Sequence, residues 1–167
     1  SNTDPNGDIM TATGMTGLIH LCDLCVVGDW LIVPANDYPT NTKCALAVFD
    51  RTTLALVAAT DVSVTDPEIS GICWNPDTSR LYTCRWGAMA GLKAWSLNMS
   101  TGAIAHLSGN GITFTSPFVT GQLTNRVQGV EYWRGHYWLT DDTRDEVVRV
   151  KPNGVCNNDA RWLRERQ

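Results

Sequence analysis

The stretch Ile69-Ser70-Gly71-Ile72-Cys73-Trp74, the turn Asn75-Pro76-Asp77-Thr78-Ser79 and the run Leu81-Tyr82-Thr83-Cys84 decide how this chain reads. Apolar side chains recur at every second position in both runs, the period of a strand with one face buried. The Pro-Asp pair between them supplies the backbone angles of a short connection. Outward from this hairpin lie a third alternating run, Leu92–Leu97, a polar turn, Asn98–Gly102, and a fourth run, Ala103–Leu107. The unit is four successive antiparallel strands.

The unit recurs on either side. Leu21-Cys22-Asp23-Leu24-Cys25-Val26 and Val127-Gln128-Gly129-Val130-Glu131-Tyr132 open like Ile69–Trp74, with a small or turn-tolerant residue third. Turns at Val27-Gly28-Asp29 and Arg134-Gly135 lead to second strands Trp30–Val33 and Tyr137–Thr140. Third strands follow at Ala45–Phe49 and Glu146–Val150. Polar turns Asp50–Thr53 and Lys151–Gly154 precede fourth strands Leu54–Ala58 and a truncated Val155-Cys156. From Asp23 to Gly71 to Gly129 the register steps by 48 and then 58 residues. Four-stranded propeller repeats run about 40–50 residues. The expected fold is therefore all-β, a β-propeller segment of about three four-stranded antiparallel blades at about 19–66, 67–126 and 127–157. The extra length falls in one polar loop, Gly109 to Arg126. Residues 1–18 read as a leader, with Ile9–Thr13 as a stray outer strand, and 158–167 as a charged tail, a short helix or an exit linker. Rings close with about four to eight blades, so three leave an incomplete ring whose open ends call for more chain, a second copy or a protein partner.

The run from Gly135 to Val150, with Tyr137-Trp138-Leu139-Thr140-Asp141-Asp142 at its centre, resembles an NHL-type repeat or a blade of the gluconolactonase (senescence-marker) group. The second segment is similar and the first looser, so the resemblance covers roughly Leu21 to Cys156. It implies a propeller and, for the gluconolactonase group, a lactone hydrolase with a metal in the central channel. That group holds its metal partly through a Glu just before the Gly of a first strand. Ser70 and Gln128 stand there in this chain, and neither is a carboxylate. In such blades an Asp at the position of Asp141 holds its own turn.

Composition narrows the partners. Hydrophobic content of 43% with 18% charged residues suits a packed domain. A net charge of −4 lacks the basic footprint of nucleic-acid binding. No stretch of about 20 apolar residues is present to span a bilayer. The opening Ser1–Asp8 is polar and turn-forming, without the pattern of a signal peptide. Six cysteines permit disulfides, but a chain of this length can bury a core without them, and free buried thiols are expected. Little Lys with much Thr, Gly and Asn suits an extracellular or virion-surface protein.

Motifs for chemistry are sparse. His20-x-Cys22-x-x-Cys25 has zinc-ligand residue types, yet on a strand His20 and Cys22 share one face and Cys25 takes the other, so convergence on an ion needs a bulge. Asp141, Asp142, Asp145 and Glu146 offer calcium-type oxygens without a glycine-centred ligand loop. No Gly-x-Ser-x-Gly elbow exists, and the three histidines are scattered. Asn98-Met99-Ser100 is a glycosylation triplet. The remaining signal is one set of loops, those after each second strand. They carry Asn36, Asp37 and Tyr38 in the first unit, Arg85 and Trp86 in the second, and Asp141, Asp142 and Arg144 in the third. A Trp in such a loop suits stacking on a sugar ring or anchoring a protein. The reading is a non-enzymatic binding or assembly module without a cofactor. Its ligand or partner face is these loops, and the lactone hydrolase is the alternative.

Overall fold

The computed structural model describes residues 4–87, 90–115, 126–142 and 146–158. Within them one helix, α1 (Pro5–Thr13), precedes three antiparallel sheets that follow one another along the chain. The first sheet holds β1 (His20–Leu21), β2 (Cys25–Val27), β3 (Trp30–Asn36), β4 (Cys44–Asp50) and β5 (Leu56–Asp61). The second holds β6 (Gly71–Asn75), β7 (Arg80–Cys84), β8 (Gly91–Leu97), β9 (Ile104–His106) and β10 (Ile112–Thr113). The third holds β11 (Val127–Trp133), β12 (His136–Asp141), β13 (Glu146–Val150) and β14 (Cys156–Asn158). Each sheet is a meander, so the all-β class and the strand order expected from the alternation are both present.

Turn chemistry sets the registers. Arg134 and Gly135 adopt φ of 51° and 75°, the two positive values that a two-residue hairpin of the right twist demands. Asp50 ends β4 and Asn98 follows β8, and each holds the next turn with its own side chain. Asp50 Oδ1 accepts from Thr52 N at 3.0 Å and Thr53 N at 2.7 Å, and Asn98 Oδ1 from Ser100 N at 2.9 Å. The first of these turns carries Leu54 at φ 57°, which moves the start of β5 on to Leu56.

The sheets stack face to face. Cys25, Ile32, Leu46, Ile72, Leu81 and Trp95 close the first interface, and Cys73, Tyr82, Leu92, Val130, Tyr137 and Val148 the second. The first strands converge where the repeats align. A Cβ on Gly71 would lie 2.8 Å from the Gly129 Cα, and one on Gly129 would lie 3.0 Å from Asp23 Oδ2. The three positions that defined the register in sequence thus meet in space.

Three expectations change. Residues 5–13 are a helix, not an outer strand: Asp4 caps it by accepting from Gly7 N at 2.9 Å, Pro5 opens it and Gly14 ends it at φ 71°. Its Ile9, with Leu18, is buried on Val33, Ala35, Ala45, Ala47 and Phe49, the first sheet's face turned away from the second. One of the two ends expected to be open is therefore covered by the chain itself, and a second copy joining there would have to displace α1. The strand expected over 21–26 is broken. Cys22 N donates to Pro34 O at 2.9 Å, yet Cys25 already pairs with Ile32, so the first strand carries one extra residue. Pro34 lacks the N–H that would have met that strand, which locates the bulge. Finally, the outer edge of the second sheet is split, β9 pairing with one end of β8 and β10 with the other. Much of the long loop (116–125), Arg144 and the tail from 159 lie outside the described residues.

Candidate functional site

The bulge shapes a cleft. At the bulge Cys22 and Asp23 line an opening of about 570 Å³ with His20, Asn36, Tyr38, Asn41, Glu68, Ser70, Trp86 and Gln128. All three sheets contribute, at the point where their first strands meet.

Of the loop residues singled out in sequence, two are walls and two are framework. Tyr38 is 57% exposed and meets the His20 ring edge-on at 5.4 Å. Trp86 lines the cleft from the second sheet, with the Arg126 guanidinium 5.9 Å from its ring centre. Asn36 is buried and joins the first two sheets: its Nδ2 donates to Ile69 O at 2.9 Å, and its Oδ1 accepts from Ile69 N at 3.3 Å. Asp37 is buried too and organises its loop. Its carboxylate accepts from the Thr40 and Thr42 hydroxyls, both at 2.7 Å, and from Thr42 N and Lys43 N, both at 2.8 Å. Burial opposes ionisation of Asp37, but these hydrogen bonds outweigh it and hold the carboxyl at about 2.

Asp142 is exposed and reaches the same face through the main chain. Arg126 N donates to Trp86 O at 2.6 Å, and Asp142 N donates to Arg126 O at 3.0 Å. Arg85 lines a neighbouring cavity of about 400 Å³ with Asp66, Lys93 and His106 rather than the cleft. Asp141 ends β12, and the rest of the acidic run weighed for calcium falls largely outside the described residues.

The floor is polar. Asn41 Nδ2 donates to the buried Glu68 carboxylate at 3.1 Å. Desolvation raises the Asp23 carboxyl above its ordinary value, against hydrogen bonds from Leu24 N and Val130 N. Cys22 lies 3.8 Å from His20 Nδ1 and accepts from Asn36 Nδ2 at 3.0 Å. Burial, with the Glu68 and Asp23 charges behind it, pushes its thiol up to about 12, so it is no ready thiolate. Cys25 is turned into the core, away from that pair. Among the described residues no three His, Cys, Asp or Glu are placed to share a metal ion. Ser70 and Gln128, at the positions where a gluconolactonase-like chain needs a carboxylate, both face the cleft. The donor set does not fit that metal.

Sequence reasoning missed Asn41, Glu68 and Arg126. Glu68 has a local signal in retrospect, two residues ahead of Ser70 at the entry to a first strand; Asn41 and Arg126 have none.

No protein-family model and no curated protein matches this sequence. Among solved structures, a chain from the crystal structure of a nidogen/laminin complex aligns with a TM-score of 0.48 and 14% identity over 81% of this chain and 44% of that one. This chain thus spans less than half the length of that neighbour. Among the described residues no helix is long and apolar enough to cross a membrane.

Proposed function

We propose that the three sheets are consecutive blades of a β-propeller and that the chain is a non-enzymatic binding module seated at the cleft. The observation that carries this is the pairing of an exposed ring, Tyr38, with Trp86 across a floor of amide, hydroxyl and carboxylate groups. Rigid aromatic walls give contact area at low entropic cost, and fixed polar groups give orientation. That combination suits a carbohydrate or a polar segment of a protein partner. Hydrolysis is disfavoured by the raised Cys22 thiol and by Ser70 and Gln128 where a metal-holding carboxylate is required.

The test is a screen of the chain on arrayed glycans and arrayed peptides, repeated with Tyr38→Ala/Trp86→Ala. Retention of one ligand class, lost in the double variant, is expected. Retention indifferent to both substitutions contradicts the assignment of the cleft, and lactone turnover by the wild type contradicts the non-enzymatic reading.

A further inference from the structure

Two buried carboxylates, Asp66 and Glu68, lead into the second sheet, and they differ in what answers their charge. They are 2% and 8% exposed. Lys93 Nζ lies 3.2 Å from Asp66 Oδ1. Glu68 has no such cation among the described residues. Its Oε1 accepts from the Asn41 amide at 3.1 Å, the one hydrogen bond its carboxylate makes there. Lys43 Nζ is turned to Thr16 O at 3.2 Å. Arg85 and Glu68 Oε2 both lie beside Gly87, yet the two side chains form no ion pair, and Arg85 lines the neighbouring cavity with Asp66 and Lys93. A buried charge is costly unless it is paired and hydrogen-bonded. Glu68 faces the cleft, where its charge also acts on the Cys22 thiol. The described residues that line this opening include the carboxylates Asp23 and Glu68 and no lysine or arginine.

We propose that the cleft takes a cationic side chain, the lysine or arginine of a protein partner, whose charged head pairs with Glu68 while its methylene stem lies along Tyr38 and Trp86. The inference rests on the reading of the cleft as the binding site and names what that site recognises. Stem and head match the two parts of the opening. Aliphatic carbons and a cation both pack well on aromatic faces. The head brings N–H donors to Glu68 Oε2, the oxygen that the Asn41 amide does not engage. Arg126 already holds a guanidinium 5.9 Å from the Trp86 ring centre, so a cation beside this ring is compatible with the fold. A neutral sugar offers hydroxyl donors but no charge to set against Asp23 and Glu68, and for that reason the protein segment is favoured over it.

The experiment is calorimetric titration of the 167-residue chain with capped Gly-Gly-X-Gly-Gly peptides in which X is arginine, lysine or citrulline, the last having arginine's shape without its charge. A cationic peptide is expected to bind, and the citrulline peptide about tenfold or more weakly, because a charge-assisted pair is lost. Glu68→Gln should weaken the cationic peptides by a similar factor and remove their advantage over citrulline. Asp29→Asn, the same charge change at an exposed turn, should leave that advantage intact. The citrulline comparison needs no variant and decides the matter even where Glu68→Gln unfolds. Equal binding of the arginine and citrulline peptides, cationic peptides that fail to bind up to about 10 mM, or a folded Glu68→Gln that keeps the preference would each overturn the proposal. A neutral ligand lost with Tyr38→Ala/Trp86→Ala, beside cationic peptides that do not bind, removes this inference and leaves the cleft reading in place. Binding of every ligand, the cationic peptides included, indifferent to both aromatic substitutions removes the cleft reading as well.

Discussion

Gly71 and Gly129 approach so closely that a Cβ built on Gly71 would sit 2.8 Å from the Gly129 Cα and 2.9 Å from Val130 N. Neither backbone can yield without moving a first strand. Gly71→Ala should therefore destabilise the fold by about 1–3 kcal/mol, the usual cost of overpacking a tight contact. A lowered midpoint in urea unfolding is the readout, and an unchanged midpoint would show that the first strands do not converge.

Asn36 ties the first sheet to the entry of the second through both polar atoms of Ile69. Asn36→Leu leaves that buried carbonyl and N–H unpaired, at about 1–3 kcal/mol for each group so stranded. Asn36→Asp should not recover the loss in urea unfolding at neutral pH, because its buried carboxylate would set an acceptor oxygen against Ile69 O, where the amide now donates.

Ile9 is fully buried between α1 and the first sheet. Ile9→Ala should cost about 2–5 kcal/mol, as for other buried aliphatic truncations. Its amide neighbours in α1 should also lose hydrogen-exchange protection. A cost below about 0.5 kcal/mol, within the range of surface substitutions, would mean that α1 is not docked.

Asp37 sets a pH dependence. Its folded value of about 2 lies below the unfolded value of about 3.9, so the ionised form is favoured by folding. That stability is fully present above pH of about 4 and is lost as pH falls towards 2. Asp37→Asn should remove this part of the acid limb while lowering stability at neutral pH. Parallel acid limbs for the variant and wild type would contradict the assignment.

Thiol chemistry should be slow. Burial raises all six cysteines, Cys22, Cys25 and Cys84 to about 12. At pH 8 the native chain should label slowly with iodoacetamide, Cys22 first because it alone is not fully buried, and all six should label in denaturant. Rapid native labelling at Cys25 or Cys73 would contradict the packing between the sheets.

The sheets were legible because period-two alternation and turn residues such as Gly28, Asn98 and Gly135 are local signals. The helix was missed although Asp4, Pro5 and Gly14 are its cap, opener and stop, because an apolar Ile9-Met10 pair reads equally as a short strand. The bulge was invisible because it answers to Pro34, a residue on the neighbouring strand whose missing N–H matters only once the two are paired. Tyr38 and Trp86 were singled out from loop position alone, and both line the cleft. Glu68 and Asn41 were not, since their place in the cleft depends on how two sheets stack.

The most direct test of the binding assignment uses the seven tryptophans as separate reporters, each with its own indole N–H resonance. On titration with the ligand retained in the array screen, the Trp86 indole should shift with binding. Trp95, buried and donating to Thr83 at 2.9 Å, and Trp133, on the third sheet's outer face, should stay in place. A shift of Trp133 and Trp138 with Trp86 unmoved would contradict the account and put the ligand on the outer face instead.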